Sequence, residues 1–228
     1  MRKIGLSLVL VGILGATNAV AEESGVFVGV QAGYGGANAK MEISPAGYVD
    51  NQKVNGMSGF RYGLVAGYKQ FFTPEFGARY YAMVDLGTDY SKEQTEKDKD
   101  ENGDEIEVKR KAKINTYNIT ANADALYNFL SNDALDFGAF AGLSLGYVNH
   151  KFKAEETLDN IKPSGFDLGI NFGFRANIAA NHGVELYSRF GILQQKKELK
   201  GEDAGSIVKV TYKVQQPYQI GLRYTFSF

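Results

Sequence analysis

Along eight stretches of the chain, hydrophobic and polar residues alternate with a period of two. The stretches cover residues 26–35, 61–72, 79–90, 116–129, 136–147, 166–175, 184–192 and 218–228. In each stretch one face is apolar and carries no charge, whereas the other face carries glycines, polar residues or charged side chains. Because successive side chains of a β-strand point to opposite faces of a sheet, the pattern predicts eight strands, each with one apolar face.

Aromatic positions and connection lengths indicate what the apolar faces contact. Aromatic residues lie mainly near the ends of the stretches, with Ala, Val, Leu and Ile between them, as in the aromatic girdles of outer-membrane barrels. Short, turn-like connections alternate with long, mostly polar ones at 37–57, 91–113, 149–164 and 195–207. The sequence therefore predicts an all-β fold, a transmembrane antiparallel up-and-down barrel of eight strands with four long external loops.

Two further expectations accompany this fold. Both termini should lie on the side of the short turns, in the periplasm. A soluble lipocalin-like barrel is the alternative fold, but it would have its apolar face inside and would need no aromatic girdles.

The first 21 residues differ from the rest. Arg2 and Lys3 precede an apolar stretch that ends in an A-x-A sequence at 19–21. This arrangement predicts a secretory signal peptide over residues 1–21 and a barrel domain over 22–228. We expect no further domain after the barrel, and therefore no peptidoglycan-binding module.

Composition removes several classes of function. The chain contains no Cys, which excludes disulfides and thiolate metal sites. Loss of the signal peptide with Arg2 and Lys3 changes the formal net charge from −1 to −3. A chain with charges this balanced gives no indication of a nucleic-acid partner.

The end of the chain, QIGLRYTFSF, has apolar or aromatic residues at alternate positions. These residues are Ile220, Leu222, Tyr224, Phe226 and Phe228. With the signal site and the eight stretches, they make the chain resemble the small outer-membrane β-barrel family, which includes OmpA-like and OmpX-like proteins. Pro217 departs from the pattern and predicts a bulge or an edge beyond the bilayer.

The resemblance implies a monomer in the outer membrane of a Gram-negative-type bacterium. It also implies that the alternate C-terminal residues are a signal to the outer-membrane barrel assembly machinery, and that membrane lipid and lipopolysaccharide surround the barrel. Members of this family include anchors, adhesins, narrow channels and enzymes, so that the resemblance alone does not settle function.

An eight-stranded barrel encloses a lumen just wide enough for side chains. The charged residues predicted to face this lumen are Arg61, Lys69, Arg79, Asp85, Asp124, Asp136, Asp167, Arg175, Glu185, Arg189 and Arg223. Opposite charges in so narrow a space should pair, because an isolated buried charge is costly. We therefore expect a structural plug of ion pairs. A narrow ion-conducting path, with water in the space left by inward glycines, is the alternative.

An acidic stretch, DKDENGDEIEVK over residues 98–109, begins like a calcium-binding helix-loop-helix cassette. The matching positions are Asp98, Asp100, Asn102, Gly103 and Asp104. The twelfth position, where such a loop needs a bidentate Glu, is Lys109, and no flanking helix is predicted. The stretch favours a hairpin with a two-residue type I′ turn at 102–103, which would place Asp100 opposite Glu105. Weak calcium binding that relieves the repulsion between facing carboxylates is a hypothesis.

A basic run follows this acidic stretch. It consists of Lys109, Arg110, Lys111 and Lys113, and further lysines lie in two other long connections. One hypothesis is that these cations contact lipopolysaccharide phosphates just above the outer aromatic residues. Ordinary solvated charge on loops is the alternative.

Catalytic chemistry has little support in the sequence. The chain contains only two histidines, His150 and His182, and His182 lies in a predicted turn. His150 is the only plausible base, and no nucleophile lies near it along the chain. We expect neither an enzyme nor a cofactor. The expected function is structural or adhesin-like, through the external loops and a surface ligand that the sequence does not name. A low-conductance, porin-like channel is the alternative.

Overall fold

A computed structural model describes residues 24–44, 50–99, 105–110, 112–131, 134–153, 161–179, 181–203 and 206–228. Regular structure in these ranges consists of twelve β-strands. They are β1 (Gly25–Ser44), β2 (Asp50–Phe71), β3 (Phe76–Tyr90), β4 (Gln94–Lys99), β5 (Glu105–Arg110), β6 (Lys113–Ser131), β7 (Leu135–Lys153), β8 (Ser164–Ile178), β9 (His182–Gly191), β10 (Gln195–Asp203), β11 (Ser206–Gln215) and β12 (Gln219–Ser227). No helix in the described ranges is long and apolar enough to cross a membrane.

Eight of these strands form a closed antiparallel ring. Its order is β1, β2, β3, β6, β7, β8, β9 and β12, and it closes because β1 pairs with β2 along one edge and with β12 along the other. Each predicted alternating stretch lies on one strand of this ring, so the prediction of an all-β, eight-stranded antiparallel barrel is confirmed. The predicted signal peptide lies outside the described residues and remains a prediction.

The outer surface of the ring is apolar. Large hydrophobic side chains on the outward faces are strongly exposed, for example Phe60 at 76%, Leu64 at 64% and Phe166 at 73%. In water such a surface would be costly, because each buried CH₂ group is worth about 0.8 kcal/mol. Aromatic pairs such as Tyr34 with Phe60 and Tyr147 with Phe166 lie at the ends of the apolar stretches. This exposed band is therefore the surface that contacts lipid.

The two ends of the barrel differ. Three short turns, after β2, β6 and β8, join strands at one end, which we call the short-turn end. At the other end, the long-connection end, several strands continue well beyond the hydrophobic band. β1 has 20 residues and β2 has 22, about twice the 9–11 residues that a membrane-spanning strand needs.

The structure corrects the prediction of loops at 37–57 and 195–207. β1 and β2 stay paired through this region, and β10 and β11 form a hairpin that pairs with β1 at Asn38–Ser44. The contrast between faces disappears only in β10, which carries polar residues on both faces. In β11, Val208, Val210, Tyr212 and Val214 alternate with polar residues, so the sequence does contain a signal for this strand that our selection of stretches missed. Pro217 lies in the break between β11 and β12, where it needs no ladder hydrogen bond.

The hairpin of β4 and β5 corrects the predicted turn. Lys99 pairs with Glu105, which leaves five residues, 100–104, between the strands. A two-residue turn at 102–103 would instead place Asp100 opposite Glu105, one position away from this register. Residues 100–104 themselves lie outside the described residues, so weak calcium binding by the partial ligand set at 98–104 remains a prediction.

A small ion cluster links β1 to β11 on the outer face beyond the hydrophobic band. Lys213 Nζ and Lys40 Nζ each donate a hydrogen bond of 2.6 Å to Glu42 Oε1. The hydrogen bond from Lys213 and then that from Lys40 lower the pKa of Glu42 to about 2, against 4.5 for an ordinary glutamate.

This low pKa makes the β1–β11 contact sensitive to acid. A depressed folded-state pKa means that the contribution of Glu42 to stability is fully present above pH 4.5 and is lost as the pH falls through about 2. Carbon-13 NMR of the Glu42 carboxyl group should therefore give a midpoint near 2, and Lys213→Met should raise it. A wild-type midpoint near 4.5 would contradict this contact.

Candidate functional site

The lumen of the described ring is lined by buried charged and polar side chains. All eleven charged residues that the alternation assigns to it are buried, none more than 6% exposed. They are Arg61, Lys69, Arg79, Asp85, Asp124, Asp136, Asp167, Arg175, Glu185, Arg189 and Arg223. They occupy the inner face of the ring, and hydrogen bonds join residues that are far apart in the sequence.

A central group of charges crosses the lumen. Glu185 Oε1 accepts from Arg79 Nη1, and Glu185 Oε2 accepts from Arg223 Nη1 at 3.2 Å. Arg79 Nε also donates to Asp124 Oδ2 at 2.9 Å. Two arginines thus share two carboxylates, and these four residues form what we call the central ion layer. Burial of charges is tolerated here because each one has an opposite charge in contact.

Aromatic rings complete the central ion layer. The guanidinium carbon of Arg79 lies 4.4 Å from the ring centre of Phe140 and 5.1 Å from that of Tyr81. Arg223 lies 5.1 Å from Tyr81 and 4.9 Å from Tyr187. These cation–π contacts fill the space around the guanidinium groups, which is where a wet path would otherwise pass.

On the side of the long connections, a second group contains both an ion pair and amides. Arg189 Nη2 donates to Asp167 Oδ2 at 2.6 Å. Asp85 Oδ2 instead accepts from the amides of Gln31, at 3.1 Å, and Gln219, at 3.0 Å. Sequence reasoning did not select Gln31 or Gln219, although both lie on inward positions, because only charged residues were considered.

Arg61 pairs with a residue that the sequence analysis missed. Arg61 Nη2 donates to Asp89 Oδ2 at 2.6 Å, and both side chains are almost fully buried. Asp89 is inward by the same alternation as Asp85, but it lies past the last inward position that we selected. The Gln216 amide also lies against the guanidinium group.

Inward glycines do not leave space for water beside Arg61. A Cβ atom added at Gly87 would lie 2.5 Å from Arg61 Nη1, and one added at Gly35 would lie 2.5 Å from Arg61 Nε. The space that glycine frees is therefore occupied by the arginine side chain.

Toward the short-turn end, the remaining charges contact polar groups. Arg175 Nη1 donates to Asn128 Oδ1 at 3.1 Å, and Asp136 Oδ1 accepts from Ser131 Oγ at 2.5 Å. Lys69 lines a small cavity together with Arg175.

Two small cavities lie between the side chains that fill the lumen, on opposite sides of the central ion layer. Each has a volume of about 10 Å³, about the space that one water molecule needs. Arg223 lines the first cavity and its partner Glu185 lines the second, so that this ion pair separates them. Ions could pass between the cavities only if these side chains moved.

An apolar cluster fills the inside of the barrel at the long-connection end. It contains Ala37, Ala39, Met57, Ile114 and Val214, each 8% exposed or less, with Phe152 packed against it. We call this cluster the apolar cap. Its residues continue the inward positions of β1, β2, β6 and β11, so the lumen lining changes from polar to apolar beyond the hydrophobic band. Sequence analysis missed the cap because it placed Ala37, Ala39 and Met57 in a loop and left Ile114 and Val214 outside its eight stretches.

His150 lies below the apolar cap and is fully buried. Its Nδ1 lies 3.0 Å from Thr116 Oγ1, and its Nε2 lies 3.2 Å from Gln195 Oε1. The sequence showed no hydroxyl near His150, and the barrel supplies one from the neighbouring strand. Thr116 is also buried, so neither group is open to a substrate. His182 lies instead at the short-turn end, where Nδ1 is 2.8 Å from the Tyr224 hydroxyl.

Other candidate residues lie on the surface or outside the described structure. Ile220, Leu222, Tyr224 and Phe228 point outward and are exposed, and Phe226 is half-buried. Asp100, Asn102, Asp104 and Lys111 lie outside the described residues. The backbone at Asp98, Lys109 and Arg110 belongs to β4 and β5, but their side chains also lie outside the description. Lys113 Nζ lies 5.3 Å from the ring centre of Tyr90.

An apolar outer band, a charged and filled lumen and a closed antiparallel ring define an outer-membrane β-barrel protein. A sequence model described as Helicobacter outer membrane protein matches residues 63–228. This match covers most of the chain, which therefore belongs to the Helicobacter outer membrane protein family. No curated protein sequence matches the chain.

Solved structures of low sequence identity were also compared. The outer membrane protein OprG from Pseudomonas aeruginosa is 16% identical, with 91% of this chain and 99% of that chain covered and a TM-score of 0.49. Neisserial surface protein A is 15% identical, with coverage of 91% and 100% and a TM-score of 0.40. The attachment invasion locus protein Ail of Yersinia pestis is 14% identical, with coverage of 88% and 98% and a TM-score of 0.30. None of these likenesses identifies a function.

Proposed function

We propose that this protein is a non-conducting outer-membrane anchor that acts through the strands and connections at its long-connection end. The observation that carries this proposal is the closure of the lumen at two levels. The central ion layer crosses the lumen within the hydrophobic band, and the apolar cap fills it beyond the band. A lumen closed in this way leaves the exposed ends of the barrel as the surface available to partners.

We also propose an orientation of the barrel in the outer membrane and the partners that contact its two ends. The long-connection end faces the cell exterior, and the short-turn end with both termini faces the periplasm. Surface ligands bind the external strands, and the outward C-terminal residues around Phe228, which is 74% exposed, engage the assembly machinery during insertion. We propose no catalytic role, because His150 and its hydroxyl partner Thr116 are buried beneath the apolar cap, and the hydroxyl partner of His182 is the phenol of the outward-facing Tyr224.

A low-conductance channel is the second candidate function. The two cavities favour it, because only the central ion layer separates them. Such a channel would require rearrangement of both the ion layer and the apolar cap. It would therefore be closed in the conformation described above.

Planar-bilayer conductance of the refolded protein distinguishes these functions. We expect no discrete steps from the wild type. A layer variant, Arg79→Ala with Glu185→Ala, removes one charge of each sign, and a cap variant, Met57→Ala with Ile114→Ala, opens the apolar cap. Each variant retains one barrier and should remain silent, whereas the combination of all four changes should conduct.

The lipid-facing variant Leu64→Ala is the control for non-specific leakage, since its side chain is 64% exposed on the outer face. All variants need the circular dichroism and heat-modified electrophoretic mobility of a folded barrel. Discrete steps from the folded wild type would contradict the anchor and would establish the channel.

Orientation can be tested separately, because the chain has no native Cys. Lys162 is exposed at the long-connection end, and Glu75 is exposed in a short turn. A membrane-impermeant maleimide should label Lys162→Cys in intact cells, and it should label Glu75→Cys only after the outer membrane is broken. The reverse labelling pattern would overturn the orientation.

A further inference from the structure

Four lysines form a continuous row on the outer face of the barrel beyond the hydrophobic band. Lys196 pairs with Lys213, Lys213 pairs with Lys40, and Lys40 pairs with Lys53, so the row crosses β10, β11, β1 and β2. Residues directly opposite one another in antiparallel strands point to the same side, about 5 Å apart at Cβ. Lys40 shares the outward alternation of Tyr34 on β1. We call these four residues the lysine row.

Lysines outnumber carboxylates among the described side chains of this outer face. Lys200 and Lys209, which pair with each other, add two more cations to the same face of β10 and β11. Among the described side chains of this face, the carboxylates are those of Glu42 and Glu198. Glu42 Oε1 accepts from two lysines of the row, and Glu198 lies 2.9 Å from Lys209. In the described part of this face, six cations therefore face two carboxylates.

Like charges directly opposite one another destabilise a sheet, so an anion beyond the Glu42 carboxylate, which contacts two of the four lysines, would stabilise the row. The shared contact of Lys40 and Lys213 with one oxygen of Glu42 shows the geometry that two neighbouring ammonium groups offer to an anion. The low pKa of Glu42, about 2, has the same origin. Lys53 and Lys196, at the two ends of the row, are exposed.

The height of the row indicates the kind of anion. Lys40 lies six residues beyond Tyr34, which is about 20 Å along a strand and about 15 Å along the membrane normal at the usual tilt. Phospholipid headgroups extend only about 5–8 Å beyond the hydrocarbon. Anionic groups that meet the row from the side must therefore project further out, as phosphates on the saccharide of a glycolipid do.

We infer that the lysine row binds a phosphorylated glycolipid of the outer leaflet. This inference rests on the orientation given under the proposed function, in which the long-connection end is external. The lysines contact phosphate groups of the saccharide, and Glu42 keeps Lys40 and Lys213 aligned when no lipid is bound. The site differs from the basic run at 109–113, which lies on other strands and connections.

The test is binding of purified rough lipopolysaccharide, labelled on its saccharide, to the mature protein folded in detergent micelles. The row variant is Lys53→Gln, Lys196→Gln and Lys213→Gln. The matched control is Lys92→Gln, Lys162→Gln and Lys197→Gln, which removes three charges outside the row, since Lys197 alternates to the other face of β10. We expect the row variant to bind about tenfold to hundredfold more weakly and the control to bind like the wild type.

Two further binding measurements test whether the lysine row recognises the phosphate groups of the lipid. Dephosphorylated lipopolysaccharide should bind the wild type as weakly as the intact form binds the row variant. Free inorganic phosphate at millimolar concentration should compete poorly, because it contacts few lysines at once. Glu42→Gln should strengthen binding by severalfold because it releases two lysines, and a misfolded barrel cannot produce such a gain.

Equal losses in the row variant and the control would overturn the inference, as would wild-type binding that does not depend on phosphate. Full competition by inorganic phosphate would also overturn it, because the site would then be a simple anion site. Binding in micelles does not depend on orientation or conductance. A negative binding result would therefore not contradict the proposed anchor function. Conductance by the wild type would contradict the anchor function but would not change the interpretation of the binding result.

Discussion

The contact of Glu185 with both Arg79 and Arg223 is the interaction on which the rest of the barrel depends. All three side chains are buried in a lumen too narrow for bulk water, where an unpaired charge would cost several kcal/mol. Their pairing requires that β3, β9 and β12 keep one register. The same register then fixes which side chains on the outer face meet lipid, because one step of slippage would turn every charge outward.

Polarity changes twice along the strands, and each change has a physical cause. Within the membrane the outer face is apolar and the lumen is polar, the reverse of a water-soluble barrel. Beyond the lipid the strands enter water, so their outer face carries charges such as Lys40 and Glu42. Their inner face then becomes apolar at Met57 and Ile114, which form a core of the kind that water-soluble proteins have. The lumen is thus closed by ion pairs where the barrel crosses the membrane and by hydrophobic packing beyond the membrane.

Alternation in the sequence was sufficient to predict the ring and its inner and outer faces. Lipid contacts one face and packed charges line the other, so the two faces differ in polarity along the whole membrane-spanning part of each strand. Alternation was insufficient for β10, where both faces carry polar residues, and in β11 the alternation is present but was not selected. Alternation also does not predict which charged residues of the lumen pair with one another. Arg79 and Glu185 are separated by 106 positions in sequence, and only the strand register brings them together. Asp89 was missed because it lies just past the inward positions that we selected.

A double-mutant cycle between Arg79 and Glu185 tests the central claim most directly. The free energy of unfolding would be measured for the wild type, Arg79→Met, Glu185→Gln and the double variant in lipid vesicles. Arg79 and Glu185 contact each other in a buried network in which each keeps a second partner, Asp124 or Arg223. We therefore predict a coupling energy of about 1–3 kcal/mol. The exposed pair of Lys209 and Glu198 should show little coupling in the same assay. Additivity within about 0.5 kcal/mol for Arg79 and Glu185 would contradict a lumen held closed by paired charge.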